Sequence, residues 1–374
     1  MKILLSYSKF HFDPKSDDEN KFKNSSAAIN ARTLYNVLCS FGDVEYIDFS
    51  EWQKVKGKKY DLFVGINHNF DNILKHCEIK NSVYYAVNQY PTERNKILRK
   101  FNKDKQFINF THNFRLFWLQ MWKKSWRNSY KKEFAPMVKS ILSADAIICL
   151  GNKIVKNSYI KHGYPKEKFF LINYDLQKGK AIDKSNFHKQ IKILYIATEL
   201  CLRKGTDIIY DIFMNLSHRN LEYKLTVVGG SGDSNNQYLY LINELVRTSN
   251  GKVVYLGPLF GKPYEDVLQN NDFYIFPSIE EGQAGTVLDA MYNGLVPIIT
   301  RESGVDFSPL GFLEPKLCSA KNYAILESVF DLSDEKKKEL SHQTVDYYNY
   351  NHLGFEKKLR DILGGIINSK NTPE

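Results

Sequence analysis

Ten short apolar runs, none alternating strictly between apolar and polar residues, constrain what this chain can fold into more than any other feature. They lie at residues 2–6, 61–66, 83–87, 107–110 and 146–150, then at 191–197, 224–228, 252–256, 273–276 and 296–300. A strand with one wet face alternates, whereas a run without alternation is buried on both faces, as parallel strands between two helical layers are. The segments between the runs carry helical period: over 25–39, Ala28, Ala31, Tyr35 and Leu38 fall on one face. Strand alternating with helix predicts an α/β chain of doubly wound, Rossmann-like sheets.

The alternation is interrupted once, by the polar stretch NYDLQKGKAIDKSNFHKQ at 173–190, which reads as a linker. The 374 residues suit two domains. The expected division is an N-terminal domain over 1–172, a linker over 173–190, a second domain over 191–345, and a closing segment over 346–374 with a helix at 353–367. Two such domains facing across a cleft bring the carboxyl ends of two sheets together, where open α/β folds bind ligands.

The five cysteines, Cys39, Cys77, Cys149, Cys201 and Cys318, are odd in number and form no C-x-x-C pair. That argues against a disulfide framework and a zinc site and for a reducing compartment. The opening MKILLSY enters a strand at once, and no apolar run approaches the ~18 residues needed to span a bilayer. The expectation is a cytoplasmic protein. Between Arg94 and Lys132 twelve lysines and arginines face one acid, Asp104, which leaves +11 there and −1 for the rest of a +10 chain. The basicity is local, which argues against a surface sticky to polyanions throughout.

The most informative stretch is FPSIEEGQAGTVLDAMYNGLVPIIT, residues 276–300. A strand ends at Pro277-Ser278, a turn of small residues follows, and a helix is predicted over 286–293, stopped by Gly294. Such a turn offers backbone N–H groups and the positive end of a helix dipole, a ready site for a diphosphate. Gly282, Ala284 and Gly285 let the backbone approach a ligand closely, with Glu281 just before the turn and Asp289 one helical turn inside. Thr286-x-x-Asp289 also reads as a capping box, in which Asp289 only satisfies helix amides.

These residues resemble glycosyltransferase family 4, the group 1 transferases of GT-B architecture. The family's setting, P-S-x-x-E-G-x-G-x-x-x-L-E-A-M-x-x-G, is matched at Pro277, Ser278, Glu281, Gly282, Leu288, Ala290, Met291 and Gly294. The chain departs from it at Ala284, usually glycine, and at Asp289, usually the second glutamate. The resemblance implies that Glu281 contacts the donor sugar, that Asp289 contacts the ribose, and that Gly282, Ala284, Gly285 and Thr286 border the donor. It also implies that the C-terminal helix returns to the N-terminal domain.

Arg203-Lys204-Gly205 follows the strand at 191–197, where retaining members of the family hold the donor diphosphate. Fixed cations there lower the barrier to cleaving the sugar–phosphate bond. Lys204 falls on the family's lysine; the family's arginine position is Thr198 here, with Arg203 the available substitute. Val228-Gly229-Gly230-Ser231-Gly232 reads either as a loop near the nucleotide or as a flexible turn. Gly257-Pro258-Leu259 resembles the segment against the base, and Ser303-Gly304 a loop near the sugar. His112, after the run at 107–110, falls on a family histidine that contacts donor or acceptor. Ser25 or Ser26 reads as a helix cap.

Trp118, Trp122 and Trp126, four apart with Phe114 and Met121 alongside, form one stripe on a helix, surrounded by Lys123, Lys124, Arg127, Lys131 and Lys132. One reading docks the 114–132 segment on an anionic membrane and brings a lipid-linked acceptor near. The other packs the tryptophans in the core.

The function implied is transfer of a sugar from a nucleotide-diphosphate sugar to a glycan or lipid-linked acceptor, with retention, without a metal ion or other cofactor, in a surface-polysaccharide type of pathway. Three other readings stay open. One is a sugar-nucleotide epimerase of the same fold. Another is a nucleic-acid-binding protein using the basic segment, for which no recognised motif is present. The third is a non-catalytic relative. Glu281 and Lys204 favour transfer, with no nucleic acid expected as partner.

Overall fold

The computed structural model describes residues 1–9, 12, 25–66, 69–123, 126, 129–173, 175–176, 178–184, 187–230 and 237–369. The chain divides into two compact units, Met1–Thr92 with Pro136–Gly179 and Asn351–Glu374, and Glu93–Ala135 with Lys180–Tyr350.

The first unit is built on a six-stranded sheet in the order β2-β1-β3-β4-β5-β6. Its strands are β1 Lys2–Tyr7, β2 Asp43–Asp48, β3 Lys59–Gly65, β4 Glu78–Ala86, β5 Ala146–Leu150 and β6 Phe169–Ile172. All neighbours pair parallel, with Ile3 opposite both Val44 and Leu62, and Val83 opposite Ala146. Helix α1 (Ser26–Cys39) follows β1, with Ser25 as its cap: the Ser25 hydroxyl accepts from Ala28 N at 3.2 Å. Helix α2 (Asn69–His76) links β3 to β4. On one side of the sheet Phe63 stacks on Phe70 at 4.9 Å, and Phe70 meets Tyr84 edge-on at 5.2 Å.

The sequence runs at 2–6, 61–66, 83–87 and 146–150 lie within or overlap β1, β3, β4 and β5. Edge strand β6 is a four-residue apolar run, FFLI, that the sequence reading passed over, whereas edge strand β2 has no such run. Over β2, DVEYID, only Ile47 is buried, so the strand alternates with charge as an edge must.

The second unit carries a five-stranded parallel sheet in the order β11-β10-β7-β8-β9. Its strands are β7 Ile191–Glu199, β8 Tyr223–Gly230, β9 Val253–Tyr255, β10 Phe273–Phe276 and β11 Val296–Ile299. Each crossover between them carries a helix. Taking the helices in chain order, α3 is Pro91–His112, α4 Phe114–Trp122, α5 Lys153–Ile160, α6 Thr206–Ser217, α7 Gln237–Thr248, α8 Lys262–Gln269 and α9 Gly285–Tyr292. The last three are α10 Ala320–Ser328, α11 Asp334–His352 and α12 Phe355–Ser369. From β7 the chain steps to β8 on one side and returns to β10 on the other. This strand reversal makes the β7–β10 border the switch point at which such sheets bind ligands.

Three sequence expectations differ from the fold. The run at 107–110 is not a strand but the last turns of α3, which starts with Pro91 at its first position and meets no glycine or second proline before Asn113. Phe107 and Phe110 are exposed on it, so the apolar run never belonged to a core. Second, residues 93–135 group with 180–350 and not with the N-terminal domain expected over 1–172. Within that unit the buried Lys105 side chain, on α3, reaches the Asp207 carboxylate of α6 at 2.5 Å. Third, the tryptophans do not form one helical stripe: α4 ends at Trp122, leaving Trp118 and Trp122 exposed, while Trp126 is buried against the Tyr240 ring at 5.3 Å.

The linker expected at 173–190 lies partly outside the described residues. Its remainder is without regular structure, 173–179 going with the first unit and 180–190 with the second. The closing helix α12 packs on α1 and β6, within the first unit.

Candidate active site

The two cation- and carboxylate-bearing motifs, with Arg203 and Glu281 78 residues apart in sequence, meet at the carboxyl ends of β7 and β10. After β7 the chain turns through 200–205, and the Tyr195 hydroxyl donates to the Lys204 carbonyl at 3.1 Å. Gly205 closes the turn with φ +75°, a left-handed conformation that only glycine adopts cheaply, and caps α6. A Cβ on Gly205 would stand 2.0 Å from the Pro277 carbonyl oxygen, so the two loops touch backbone to backbone. Ile279 N and the Ser278 hydroxyl both donate to the Arg203 carbonyl at 2.9 Å. The loops are thus stitched together before any side-chain charge is considered.

On this frame the Arg203 guanidinium and the Lys204 ammonium converge on one oxygen, Oε1 of Glu281, the lysine at 2.6 Å. Burial alone raises the Glu281 carboxyl, but Arg203 and Lys204 outweigh it and hold it below the ordinary carboxylate value. Burial tends to lower the Arg203 guanidinium, and Glu281, Cys201, Glu280 and Glu133 more than reverse that, so it stays charged. Lys204 also sits over the Phe276 ring at 5.5 Å. Two cations therefore share one carboxylate in a largely dry place, where an entering anion can compete with Glu281 for them.

Three further charged groups join them, none singled out in the sequence. Glu280 is fully buried, with Arg94 Nε 3.2 Å from its Oε2. Glu133 accepts from Arg203 N at 2.9 Å, and burial raises its carboxyl against the pull of Arg203. The tandem Glu280-Glu281 was a visible signal; Arg94 and Glu133 lie in a basic segment with no local mark of the site.

The turn after Glu281 is as small as its residues suggest. Gly282 and Ala284 are buried, and Ala284 N donates to Ser303 O at 3.0 Å. Gly304, at φ +79°, lies so close that a Cβ would meet Gly282 O at 1.7 Å, so Ser303-Gly304 form the floor of the turn. Helix α9 starts at Gly285 with Ala284 as N-cap and no side-chain cap bond, which leaves its start without the side-chain oxygen that would compete with an anion. Thr286 is inside the helix, not at its cap, and accepts from the Tyr274 hydroxyl at 2.7 Å, so the capping-box geometry is not adopted. Asp289 is buried and accepts from the Tyr264 hydroxyl at 2.9 Å.

At the carboxyl ends of β8 and β9, Gly229 N donates to Gly257 O at 3.0 Å and Tyr255 donates to Gly229 O at 2.7 Å. Gly230 O accepts from Leu200 N at 2.9 Å, tying this loop to the Arg203 loop. Pro258 is exposed and Leu259 half-buried beside them; Ser231 and Gly232 lie outside the described residues. Thr198, at the family's arginine position, is exposed. His112 is not brought to this cluster: it ends α3 and lines a separate cavity together with Asp211. Among the described residues no three His, Cys, Asp or Glu side chains are grouped to hold a metal ion.

A doubly wound sheet with cations, a buried carboxylate and a glycine turn at its switch point gathers the groups that an anionic ligand needs where such folds bind ligands. Residues 190–310 match the family described as Glycosyl transferases group 1, and that segment is a group 1 glycosyltransferase domain. Mannosylfructose-phosphate synthase of Agrobacterium fabrum is 22% identical over 151 residues, 39% of this chain and 33% of that protein, so the match spans about a third of the relative's length. Among solved structures, sucrose-phosphate synthase from Thermosynechococcus elongatus aligns over 99% of both chains with TM-score 0.62 and 13% identity. The Anabaena HepE protein, in complex with UDP and glucose, aligns over 99% of this chain and 100% of its own, with TM-score 0.59 and 14% identity. These likenesses place the fold in the GT-B class: two parallel sheets, of six and five strands, each clad in helices.

Proposed function

We propose that this protein transfers a sugar from a nucleotide-diphosphate sugar to a glycan or lipid-linked acceptor, with retention of configuration and without a metal ion. The observation that carries the reading is the convergence of Arg203 and Lys204 on Glu281 at the switch point of a group 1 glycosyltransferase domain. A bound donor puts its diphosphate where the two cations face Glu281, and Glu281 is released to the sugar hydroxyls. The bond from the anomeric carbon to the diphosphate oxygen breaks, and charge builds on the leaving group beside Arg203 and Lys204. The acceptor oxygen bonds to the anomeric carbon from the same face and passes its proton to the departing diphosphate. Gly282, Ala284, Gly285 and Thr286 border the diphosphate, Asp289 the ribose, and Gly229, Gly230, Pro258 and Leu259 the base.

Calorimetric titration with UDP, GDP, ADP and CMP tests this, followed by product analysis with the matching sugar nucleotide in EDTA. The expected result is one nucleotide bound in preference and a sugar moved only when an acceptor is present. Binding of none defeats the reading, and conversion of the donor without acceptor makes the protein an epimerase.

A second feature favours docking at the cytoplasmic face of an anionic membrane. Phe107, Phe110, Phe114, Trp118, Met121 and Trp122 are all exposed along α3 and α4, and Lys96, Arg99, Lys100, Lys103 and Lys123 are exposed on the same two helices and just beyond them. Contiguous exposed rings beside cations suit the headgroup level, where the rings bury and the cations meet lipid phosphates. Among the described residues no helix is long and apolar enough to cross a membrane. Co-sedimentation with vesicles containing anionic lipid should be strong at low salt and lost in Trp118→Ser/Trp122→Ser; equal binding by that double variant would refute the docking.

A further inference from the structure

Residues 93–135 belong to the second unit, and the two ends of this segment meet beside the Arg203–Glu281 cluster. The Asn95 side chain pairs with the Ala135 backbone in both directions. Its Nδ2 donates to Ala135 O and its Oδ1 accepts from Ala135 N, each at 2.9 Å. Next to it, Arg94 Nη2 donates to Glu133 O at 2.8 Å, and the Arg99 guanidinium lies over the Phe134 ring at 5.1 Å. The segment is thus closed at its base, and from that base two side chains reach the cluster. Glu133 Oε2 accepts from Arg203 N at 2.9 Å, while the Arg203 carbonyl accepts from Ile279 N and the Ser278 hydroxyl. Both polar groups of the Arg203 backbone are held, and only its side chain is left to choose a partner.

Two neighbouring carboxylates attract that side chain. Glu281 holds it, but the Glu280 carboxylate is fully buried, and a buried charge needs a cation beside it. Arg203 Nη1 already lies 3.5 Å from the Glu280 carbonyl oxygen, so a small movement separates the two choices. Burial works against the Arg203 charge, and Glu281 foremost, then Cys201, Glu280 and Glu133, sustain it. Arg94 decides between them. Its Nε is 3.2 Å from Glu280 Oε2, with the arginine side chain 13% and the glutamate side chain 0% exposed. A guanidinium keeps its charge at any working pH, so Glu280 stays neutralised.

We infer that Arg94 is a positioning residue: by neutralising Glu280 it keeps that carboxylate from drawing Arg203 away from Glu281 and from the donor diphosphate. Arg94 itself touches no part of the donor; it acts through Arg203. Its role rests on the transfer reading above, in which the diphosphate takes the place of Glu281 between the two cations.

Calorimetric titration of the full chain with UDP, GDP and ADP, and with the matching monophosphates, tests this role, with folding checked by circular dichroism. In Arg94→Met the Glu280 charge is left without its partner and takes Arg203, so affinity for the preferred diphosphate should fall about tenfold. Affinity for the corresponding monophosphate should change much less, a split that a merely structural Arg94 would not produce. Arg94→Met/Glu280→Gln, which lacks both charges, should regain most of the loss, and Arg94→Lys should lose less than Arg94→Met. Arg203→Met should weaken diphosphate binding at least about fivefold less in the Arg94→Met background than in wild type, because Arg203 has already been drawn off there. Arg94→Gln removes the charge and keeps an amide near Glu133 O, and it replaces Arg94→Met should that variant not fold. Diphosphate affinity within about threefold of wild type, equal loss for the monophosphate, no recovery on adding Glu280→Gln, or independent losses from Arg94 and Arg203 would each overturn the role. A wild-type protein that binds none of the three diphosphates overturns the transfer reading and the role with it, so the wild-type titration tells the two failures apart.

Discussion

Replacing Lys204 by alanine should lower kcat for sugar transfer by about 10²–10³-fold, the loss seen when one fixed donor to a developing negative charge is removed, or roughly 2.7–4 kcal/mol. The size follows from its surroundings. Lys204 Nζ lies 2.6 Å from Glu281 Oε1 and over the Phe276 ring, where water screens little. In the resting protein the lysine shares Glu281 with Arg203, so its removal leaves the carboxylate paired and the fold intact. The cost appears when the diphosphate leaves and one of two cations is missing. An interaction that strengthens only as charge develops lowers kcat and kcat/KM together. Single-turnover rates for Lys204→Ala and Lys204→Arg, with folding checked by circular dichroism, make the measurement. Lys204→Arg should recover part of the rate. A Lys204→Ala rate within threefold of wild type would remove Lys204 from the chemistry.

How much of this could be read in the residues varies with how local the encoding is. The turn and helix over 276–293 were legible because strand end, small residues and helix stop all lie within one short stretch, and α9 begins within a residue of its expected start. The meeting of Arg203 with Glu281 was implied, since a doubly wound sheet places its first strand beside the one that returns across it. Arg94 and Glu133 were illegible, because they reach the cluster through the packing of 93–135 in the second unit, which no local pattern encodes. The run at 107–110 failed for a related reason. Four apolar residues have no measurable period, and Phe107 and Phe110 are apolar for the surface they present. His112 ends α3 instead of following a strand, and it lines a cavity away from the Arg203–Glu281 cluster.

Gly205→Ala should separate the two motifs and destabilise the second unit by more than a left-handed backbone alone explains. The glycine's φ of +75° makes any Cβ cost about 1–2 kcal/mol. A Cβ there also stands 2.0 Å from Pro277 O, and backbone cannot rotate away as a side-chain tip would, which adds about 1–3 kcal/mol of forced displacement. Gly251 in the same unit isolates the second contribution: its φ is +81° and a Cβ would meet nothing within 4 Å, so Gly251→Ala carries the backbone cost only. Denaturant midpoints of the two variants should therefore differ, Gly205→Ala being the lower. Relief of the clash has to push Arg203-Lys204 away from Pro277-Ser278, breaking the 2.9 Å bonds from Ile279 and Ser278 to the Arg203 carbonyl. Nucleotide binding should then be weaker in whatever fraction remains folded, whereas Gly251→Ala binds as wild type does. Equal midpoints and equal nucleotide affinity would mean that the close approach of the two loops is not what holds Arg203 and Lys204 on Glu281.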